Sequence, residues 1–154
     1  FCYVGRVAAE KNIEAFLKLD LPGSMVVIGD GPARATLERR YPGVNFVGFH
    51  KGEDLARRIA ACDVFVFPSV TDTFGVVMIE AMACGLPVAA YPVTGPRDVV
   101  TDPTAGRLDD DLQAAALACL ELNKEDAVAF AQQFTWRRCA QMVLDNLAVS
   151  GTPK

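Results

Sequence analysis

The sequence predicts a doubly wound α/β fold: a parallel sheet of about six strands with helices on both faces. Short apolar runs recur along the chain, they are continuous rather than alternating, and helical segments lie between them. Continuous apolar runs are typical of strands that are buried on both faces of a parallel sheet. Gly and Pro cluster at the ends of the runs, in LPGS, GDGP, YPG, FPS and CGLP, as turns require.

The predicted elements alternate along the chain. The predicted strands are, in order, CYVGRV, MVVIG, VNFVGF, DVFVFPS, PVAAY and, more weakly, AGRL. The helices between them are predicted at Asn12 to Leu19, Ala33 to Arg40, Glu53 to Ala61 and Gly75 to Cys84. Parallel neighbours joined by helices imply right-handed crossovers. After AGRL the spacing is only helical, in DLQAAALACLELN, KEDAVAFAQQF and TWRRCAQMVLDNL, with Asp111 and Thr135 as candidate caps.

Composition narrows the class of protein. A chain of 154 residues, 51% hydrophobic and 22% charged, fits one globular domain, here predicted over residues 1–150 with a frayed tail at 151–154. The net charge of −4 argues against nucleic acid as a partner. No apolar run approaches the roughly 20 residues that span a bilayer. The five cysteines are widely spaced and only one histidine is present, which predicts reduced cytosolic thiols and no zinc site.

Two cations follow the first strand in GRVAAEKN. Arg6 and Lys11 are predicted at the carboxyl edge of the sheet, where open α/β folds bind ligands. Two cations beside a helix N-terminus suit a diphosphate, because the charges and the free backbone N–H groups favour the same anion. Two solvated charges on a surface loop explain the motif slightly better when it is taken alone.

The second strand is followed by VVIGDGPARATLERR, which partly matches the dinucleotide motif G-x-G-x-x-G. Arg34 occupies the position of the third glycine, which weakens the prediction of a dinucleotide oxidoreductase. Gly29 and Gly31 still allow a flat base or a ribose to approach the backbone. A tight turn between strand and helix competes strongly with that interpretation.

Two further motifs favour structural roles. His50, next to Lys51 in FVGFHKGEDL, is a lone histidine and is interpreted as a loop residue rather than a ligand or a base. Asp109, Asp110 and Asp111 match a D-x-D metal motif in form, but they directly precede a helix. Carboxylates in that place cap N–H groups and suit the helix dipole, so helix capping is the preferred interpretation.

The segment TDTFGVVMIEAMACG carries the most information. Its helix is predicted to open at Gly75, offering unpaired N–H groups to a phosphate or a sugar oxygen. Glu80 lies among apolar residues, where a charge is unfavourable unless a partner satisfies it. A ribose diol would match its two oxygens. Pairing with a buried Arg, or a narrow exposed face of the helix, explains Glu80 about equally well.

Taken together, YVGRVAAEKN, VIGDGP, NFVGF, DVFVFPSVTDTFGVVMIEAMACGLPVAAY and FTWRR resemble the retaining, family 4 glycosyltransferases of the GT-B fold. The resemblance covers nearly the whole chain, and it is to the Rossmann-like C-terminal, donor-binding domain, one half of a GT-B enzyme. The chain also opens inside a strand. We therefore expect a piece of a longer protein whose N-terminal acceptor domain is absent, so that the piece binds donor without proper turnover.

The resemblance implies roles for individual residues. Arg6 and Lys11 match the pair that binds the donor diphosphate and stabilises the leaving group. Asp72 matches the first acid of an E-x7-E motif, which contacts the transferred sugar. Glu80 matches the second acid of that motif, which binds the ribose. Backbone contacts to sugar and phosphates are implied for Phe74, Gly75, Val76 and Val77. Flanking positions around the base are implied for Gly29, Phe49 and His50. Asp72 stands where the family has Glu and is one methylene shorter, so its reach to the sugar differs from that of the family residue.

The resemblance further implies the reaction and its partners: a hexosyl-type sugar passes from a nucleotide diphosphate sugar to a lipid or saccharide acceptor with retention, without a cofactor or a donor metal. The location implied is cytoplasmic, with peripheral contact to the inner membrane face through the missing domain. A GT-B nucleotide-sugar 2-epimerase and a non-catalytic nucleotide-binding module are the alternatives. The E-x7-E-like spacing favours the transferase over the epimerase.

Overall fold

The structure is a computed structural model that describes residues 1–135, 137, 140, 141 and 144. Its centre is a six-stranded sheet in which every neighbouring pair is parallel, in the order β3-β2-β1-β4-β5-β6. The strands are β1 (Cys2–Val4), β2 (Val26–Ile28), β3 (Asn45–Gly48), β4 (Phe65–Phe67), β5 (Val88–Ala90) and β6 (Gly106–Leu108). The predicted doubly wound sheet is confirmed, with its strand order reversing between β1 and β4.

The four central strands, β1, β2, β4 and β5, are apolar throughout because both faces of the sheet are covered, whereas the edge strands β3 and β6 include Asn45 and Arg107. Successive side chains of a strand point to opposite faces. In β1, Cys2 and Val4 pack into one core, whereas Tyr3 packs into the other. In β4, Phe65 and Phe67 share the first core and Val66 the second. The continuous apolar runs therefore supply two cores, one on each face.

Helices form a layer on each face. They are α1 (Ile13–Leu17), α2 (Arg34–Arg40), α3 (Gly52–Ala60), α4 (Val76–Ala83), α5 (Thr94–Val99), α6 (Leu112–Cys119) and α7 (Lys124–Ala131), with a 3-10 turn at Ala9–Lys11. Side chains of α3, α4, α5 and α7 contribute to the first core, and those of α1, α2 and α6 to the second. Among the described residues, no helix is long and apolar enough to cross a bilayer.

The sequence missed one helix and misplaced some helix ends. Helix α5 was not predicted, because its six residues are too few for a periodic pattern and begin with Thr-Gly-Pro, which signals a turn. The first predicted helix is shorter than expected at both ends: it starts after Asn12, which adopts a left-handed conformation with φ of 51°, and it ends at Leu17 rather than Leu19. The helix predicted to start at Thr135 and the tail at 151–154 fall largely or wholly outside the described residues.

Candidate functional site

Two joined cavities open at the carboxyl edge of the sheet, where the strand order reverses. The larger is about 420 Å³ and is lined from the ends of β1 and β2, the loop after β3, and helices α3 and α4. The smaller is about 220 Å³ and lies between the ends of β1 and β4 and the start of α4. Both cavities are lined by Val4, Gly5, Arg6 and Val77. Arg6 is therefore at their junction.

The loop after β1 places both predicted cations at this edge. The buried Tyr3 hydroxyl donates to the Arg6 carbonyl oxygen at 2.8 Å, which fixes the loop as it leaves the strand. Asn12 Nδ2 donates to the Pro68 carbonyl oxygen at 3.0 Å and joins the loop to the end of β4. The Arg6 guanidinium is 63% exposed and lies 3.1 Å from Glu10. An exposed pair of this kind holds the guanidinium only weakly, so it is available to an anion.

Lys11 and Asp72, which are 61 positions apart, are brought together in the smaller cavity. Lys11 Nζ donates to Asp72 Oδ1, and the two side chains are 30% and 23% exposed. Desolvation raises the pKa of Asp72, but the hydrogen bond from Lys11, the nearby Ser69 hydroxyl and the charge of Lys11 together outweigh it, so that the pKa is lowered. Asp72 is accordingly an ionised carboxylate next to a cation, a group that accepts hydrogen bonds from hydroxyls.

The first turn of helix α4 lies beside both cavities. Its N-cap is Gly75, with φ of 74° and ψ of 63°, and no side chain caps the first turn. A Cβ at this position would lie 2.7 Å from Met78 Cε, which is the flexible end of a side chain, so it is the left-handed conformation rather than the packing that favours glycine here. Val77 lines both cavities. Phe74 and Val76 are 43% and 60% exposed, and neither side chain lines either cavity.

The structure decides between the alternatives that the sequence leaves open for Glu80. Its side chain is exposed and lines the larger cavity, so Glu80 lies on an exposed face of the helix. It makes no hydrogen bond or ion pair with another described residue, so the suggested buried Arg partner is wrong. Helix α4 buries Met78, Ala81 and Met82 and turns Glu80 away from that core. The carboxylate is thus solvated and needs no ligand to offset burial.

The glycines after β2 serve the packing of two adjacent loops. A Cβ on Gly29 would lie 1.8 Å from the Gly5 carbonyl oxygen, and one on Gly31 would lie 2.3 Å from the Val7 carbonyl oxygen. The loops after β1 and β2 are that close because their strands are neighbours. The expectation that these glycines leave room for a ligand is therefore corrected in part: their hydrogens face protein backbone. Gly29 still lines the larger cavity.

The loop after β3 forms the outer wall of the larger cavity. Phe49 lines it and is 70% exposed, which leaves an apolar ring uncovered at the mouth. His50 also lines the cavity, but its Nδ1 faces Asp54 Oδ2 and its Nε2 lies 3.0 Å from the Val47 carbonyl oxygen. His50 therefore orders the loop, which agrees with its interpretation as a loop residue.

The acidic run before α6 is a helix cap. The Asp111 side chain accepts hydrogen bonds from the backbone N–H groups of Gln113 at 3.0 Å and Ala114 at 3.1 Å, which confirms the capping interpretation. Among the described residues, no group of three or more His, Cys, Asp or Glu side chains has the arrangement of a metal site.

Sequence reasoning missed the two hydroxyl-bearing residues that line the smaller cavity, Tyr3 and Ser69. Ser69 follows β4 by two positions, and polar residues just beyond a parallel strand are candidates for a ligand site. The segment FPS places Ser69 just beyond the strand, although its Pro also predicts a turn. Tyr3 gave no signal, because an aromatic residue within an apolar strand predicts core.

The family was established by comparison with known proteins. Residues 1–125 match the family model described as "Glycosyl transferases group 1". The chain belongs to the group 1 glycosyltransferase family. The resemblance seen in the sequence is thereby confirmed, and the fold is that of GT-B glycosyltransferase structures.

Individual group 1 relatives match most of the chain. It is 41% identical over 108 residues to a GDP-mannose-dependent alpha-mannosyltransferase of Mycobacterium tuberculosis, covering 69% of the chain and 29% of the relative. It is 37% identical over 110 residues to a sulfoquinovosyl transferase of Arabidopsis thaliana, covering 68% and 22%. An Anabaena protein crystallised with UDP has the same fold, with a TM-score of 0.73 at 22% identity over 95% of the chain and 47% of that protein. The chain thus spans under a third of these curated relatives and about half of that structure.

Proposed function

We propose that this chain is the nucleotide-sugar-binding domain of a retaining glycosyltransferase, which transfers a sugar from a nucleotide diphosphate sugar to an acceptor. The observation that carries the proposal is the order of the cavities. A larger cavity, a junction with Arg6 and a smaller cavity follow one another along the edge of the sheet. A nucleoside, a diphosphate and a sugar are joined in the same order.

Each part of such a donor has a matching group. Glu80 lies in the larger cavity, where a carboxylate can accept from both hydroxyls of a ribose. Arg6 and Lys11 lie at and beside the junction, and the uncapped start of α4 adds backbone N–H groups for phosphate oxygens. Asp72 lies in the smaller cavity, where it can accept from sugar hydroxyls.

The chemistry that follows is stabilisation of a leaving group. When the bond between the sugar and the diphosphate breaks, negative charge grows on the phosphate oxygens. Cations and N–H groups that already contact those oxygens in the bound donor favour the transition state without further reorganisation. Asp72 orients the sugar while this happens. No residue of this site is arranged around a metal, and we propose that donor binding requires none.

We propose that a second, N-terminal domain binds the lipid or saccharide acceptor and makes any contact with the inner membrane face. The relatives named above are transferases, which favours transfer over epimerisation. A cytoplasmic location is proposed because Cys2, Cys62, Cys84 and Cys119 are free thiols.

The test is calorimetry of the chain with GDP-mannose, UDP-glucose and ADP-glucose, with and without EDTA. One of the donors is expected to bind, with the same affinity in EDTA. Arg6→Ala and Lys11→Ala should each lose a charge-assisted contact of about 1.5–3 kcal/mol, which weakens binding about 10- to 150-fold. Arg57→Ala is the matched control, since Arg57 is exposed on α3 and lines neither cavity. Binding of no donor, or equal losses in the control, would refute the assignment.

A further inference from the structure

Ser69 has an unusual environment. Its side chain is 1% exposed, and among the described residues it is the one polar side chain counted with the buried core. Its Oγ has no hydrogen-bond partner within the described part of the chain. A buried hydroxyl without a partner is unfavourable and uncommon in native proteins. Ser69 also lines the smaller cavity together with Lys11 and Asp72.

The Ser69 hydroxyl is a close neighbour of the Asp72 carboxylate. It contributes to the lowered pKa of Asp72, after desolvation and the hydrogen bond from Lys11, yet it stops short of a hydrogen bond. Lys11 occupies Asp72 Oδ1 instead. The Asp72 carboxylate thus contacts one cation, Lys11, and has a second potential donor, the Ser69 hydroxyl, close by.

A diphosphate at the junction would compete with Asp72 for Lys11. The Lys ammonium is a compact charge on a flexible stem, so it can turn from a carboxylate to a phosphate oxygen at little cost. Lys11 and Arg6 line the same cavity, which brings both within reach of one diphosphate. Once Lys11 has turned, Asp72 would face the diphosphate as an unpaired anion, and this is unfavourable in a partly buried site.

We propose that Ser69 is a positioning residue: when Lys11 leaves Asp72 for the diphosphate, the Ser69 hydroxyl replaces Lys11 as the hydrogen-bond donor to Asp72. The Ser69 O–H then donates to one carboxylate oxygen, and the other oxygen stays directed to the hydroxyls of the sugar. This inference rests on the proposed function, and it adds a consequence. A bare nucleoside diphosphate removes Lys11 from Asp72 and offers no hydroxyls in return, whereas the sugar-bearing donor does. The Asp72–Ser69 pair therefore favours donor over the nucleoside diphosphate product.

The experiment measures affinity for both ligand forms in a double-mutant cycle. Calorimetry uses GDP and GDP-mannose, or the corresponding pair for whichever base binds, on the wild type, Asp72→Asn, Ser69→Ala and the double variant. We expect Asp72→Asn to bind the bare diphosphate about three- to tenfold more tightly, because Lys11 is released, and to lose its preference for the sugar form. Ser69→Ala should weaken the sugar form about three- to tenfold, and only while Asp72 is present.

Melting temperature separates positioning from a structural role. Ser69→Ala removes an unpaired hydroxyl from the core, so its melting temperature without nucleotide should be equal to or above that of the wild type, even as donor affinity falls. The proposal that Ser69 replaces Lys11 on Asp72 would be overturned by a lower melting temperature of Ser69→Ala. It would also be overturned if Ser69→Ala weakened donor binding equally with and without Asp72. An Asp72→Asn variant whose affinity for the bare diphosphate is unchanged or weaker would overturn it as well. A wild type that binds neither form would refute the proposed function itself, which is a different outcome.

Discussion

The Glu80→Gln variant tests whether the acid on α4 acts on a ligand or on the fold. The substitution keeps the size of the side chain and one acceptor oxygen and removes the charge. Glu80 is exposed, and it has no hydrogen bond or ion pair with another described residue. A surface substitution of this kind changes the free energy of unfolding by no more than about 0.5 kcal/mol. Loss of half of a buried ion pair would instead cost about 3–5 kcal/mol.

The magnitude of the binding effect follows from the hydrogen bonds at stake. A ribose diol can donate two hydrogen bonds to the carboxylate, and bonds to a charged group contribute about 1.5–3 kcal/mol against about 0.5–1.5 for neutral pairs. Gln offers a single acceptor and directs its NH2 group at the other hydroxyl. We expect a loss of about 1–3 kcal/mol, which is a rise of about 5- to 150-fold in Kd.

Calorimetry with the nucleotide that binds the wild type gives the Kd, and a thermal melt of the same sample without nucleotide gives the stability. Glu121→Gln is the matched control, because Glu121 is exposed beyond α6, lines neither cavity and changes the net charge equally. The two Gln variants should melt alike and differ only in affinity. Equal affinities would show that Glu80 does not contact the nucleotide, and a large drop in melting temperature for Glu80→Gln would show that it serves the core.

Three further predictions concern stability and thiol chemistry. Gly29→Ala should lower the free energy of unfolding in urea by at least about 3 kcal/mol, because its Cβ would lie 1.8 Å from a carbonyl oxygen. Gly43→Ala is the control and should lower it by under about 0.5 kcal/mol, because nothing lies within 4 Å of its Cβ. Similar values for the two variants would refute the packing argument. The neighbouring Cys2 thiol lowers the pKa of Cys62 to about 7, whereas burial raises the pKa of Cys119 to about 12. Alkylation followed by mass spectrometry should therefore modify Cys62 before Cys119, and faster as the pH rises through about 7. Modification of Cys119 first would contradict this. Asp111→Ala should lower the free energy of unfolding by about 1 kcal/mol through the lost cap, and an unchanged urea midpoint would count against it.

Much of the site was visible in the sequence because parallel strands share an edge. The residues just beyond β1, β2 and β4 had to meet there once the strands were recognised. This places Arg6, Lys11, Gly29 and Asp72 near one another without any knowledge of contacts. The structure brings all four to the two cavities. The order of the helices around them followed from the same alternation.

The sequence does not show which side chains face the cavities and which face the core. Helix α4 is apolar on nearly every side, so its sequence has no periodic signal for the side that faces solvent. Packing decided it: Met78, Ala81 and Met82 reach the core, and Glu80 was left on the open side. The same limit applies to Ser69, whose burial depends on neighbours that are distant in sequence.

The sequence by itself determined the doubly wound sheet, the alternation of strands and helices, and the family, because apolar period and turn residues are local properties and the order of motifs is read directly. The tertiary structure alone decided that Lys11 contacts Asp72, that Gly29 packs against Gly5, and that Ser69 is buried with no hydrogen-bond partner in the described part of the chain. These are contacts between loops that follow different strands. Their geometry is set by the spacing of neighbouring strands and by helix packing, which no local pattern of residues records.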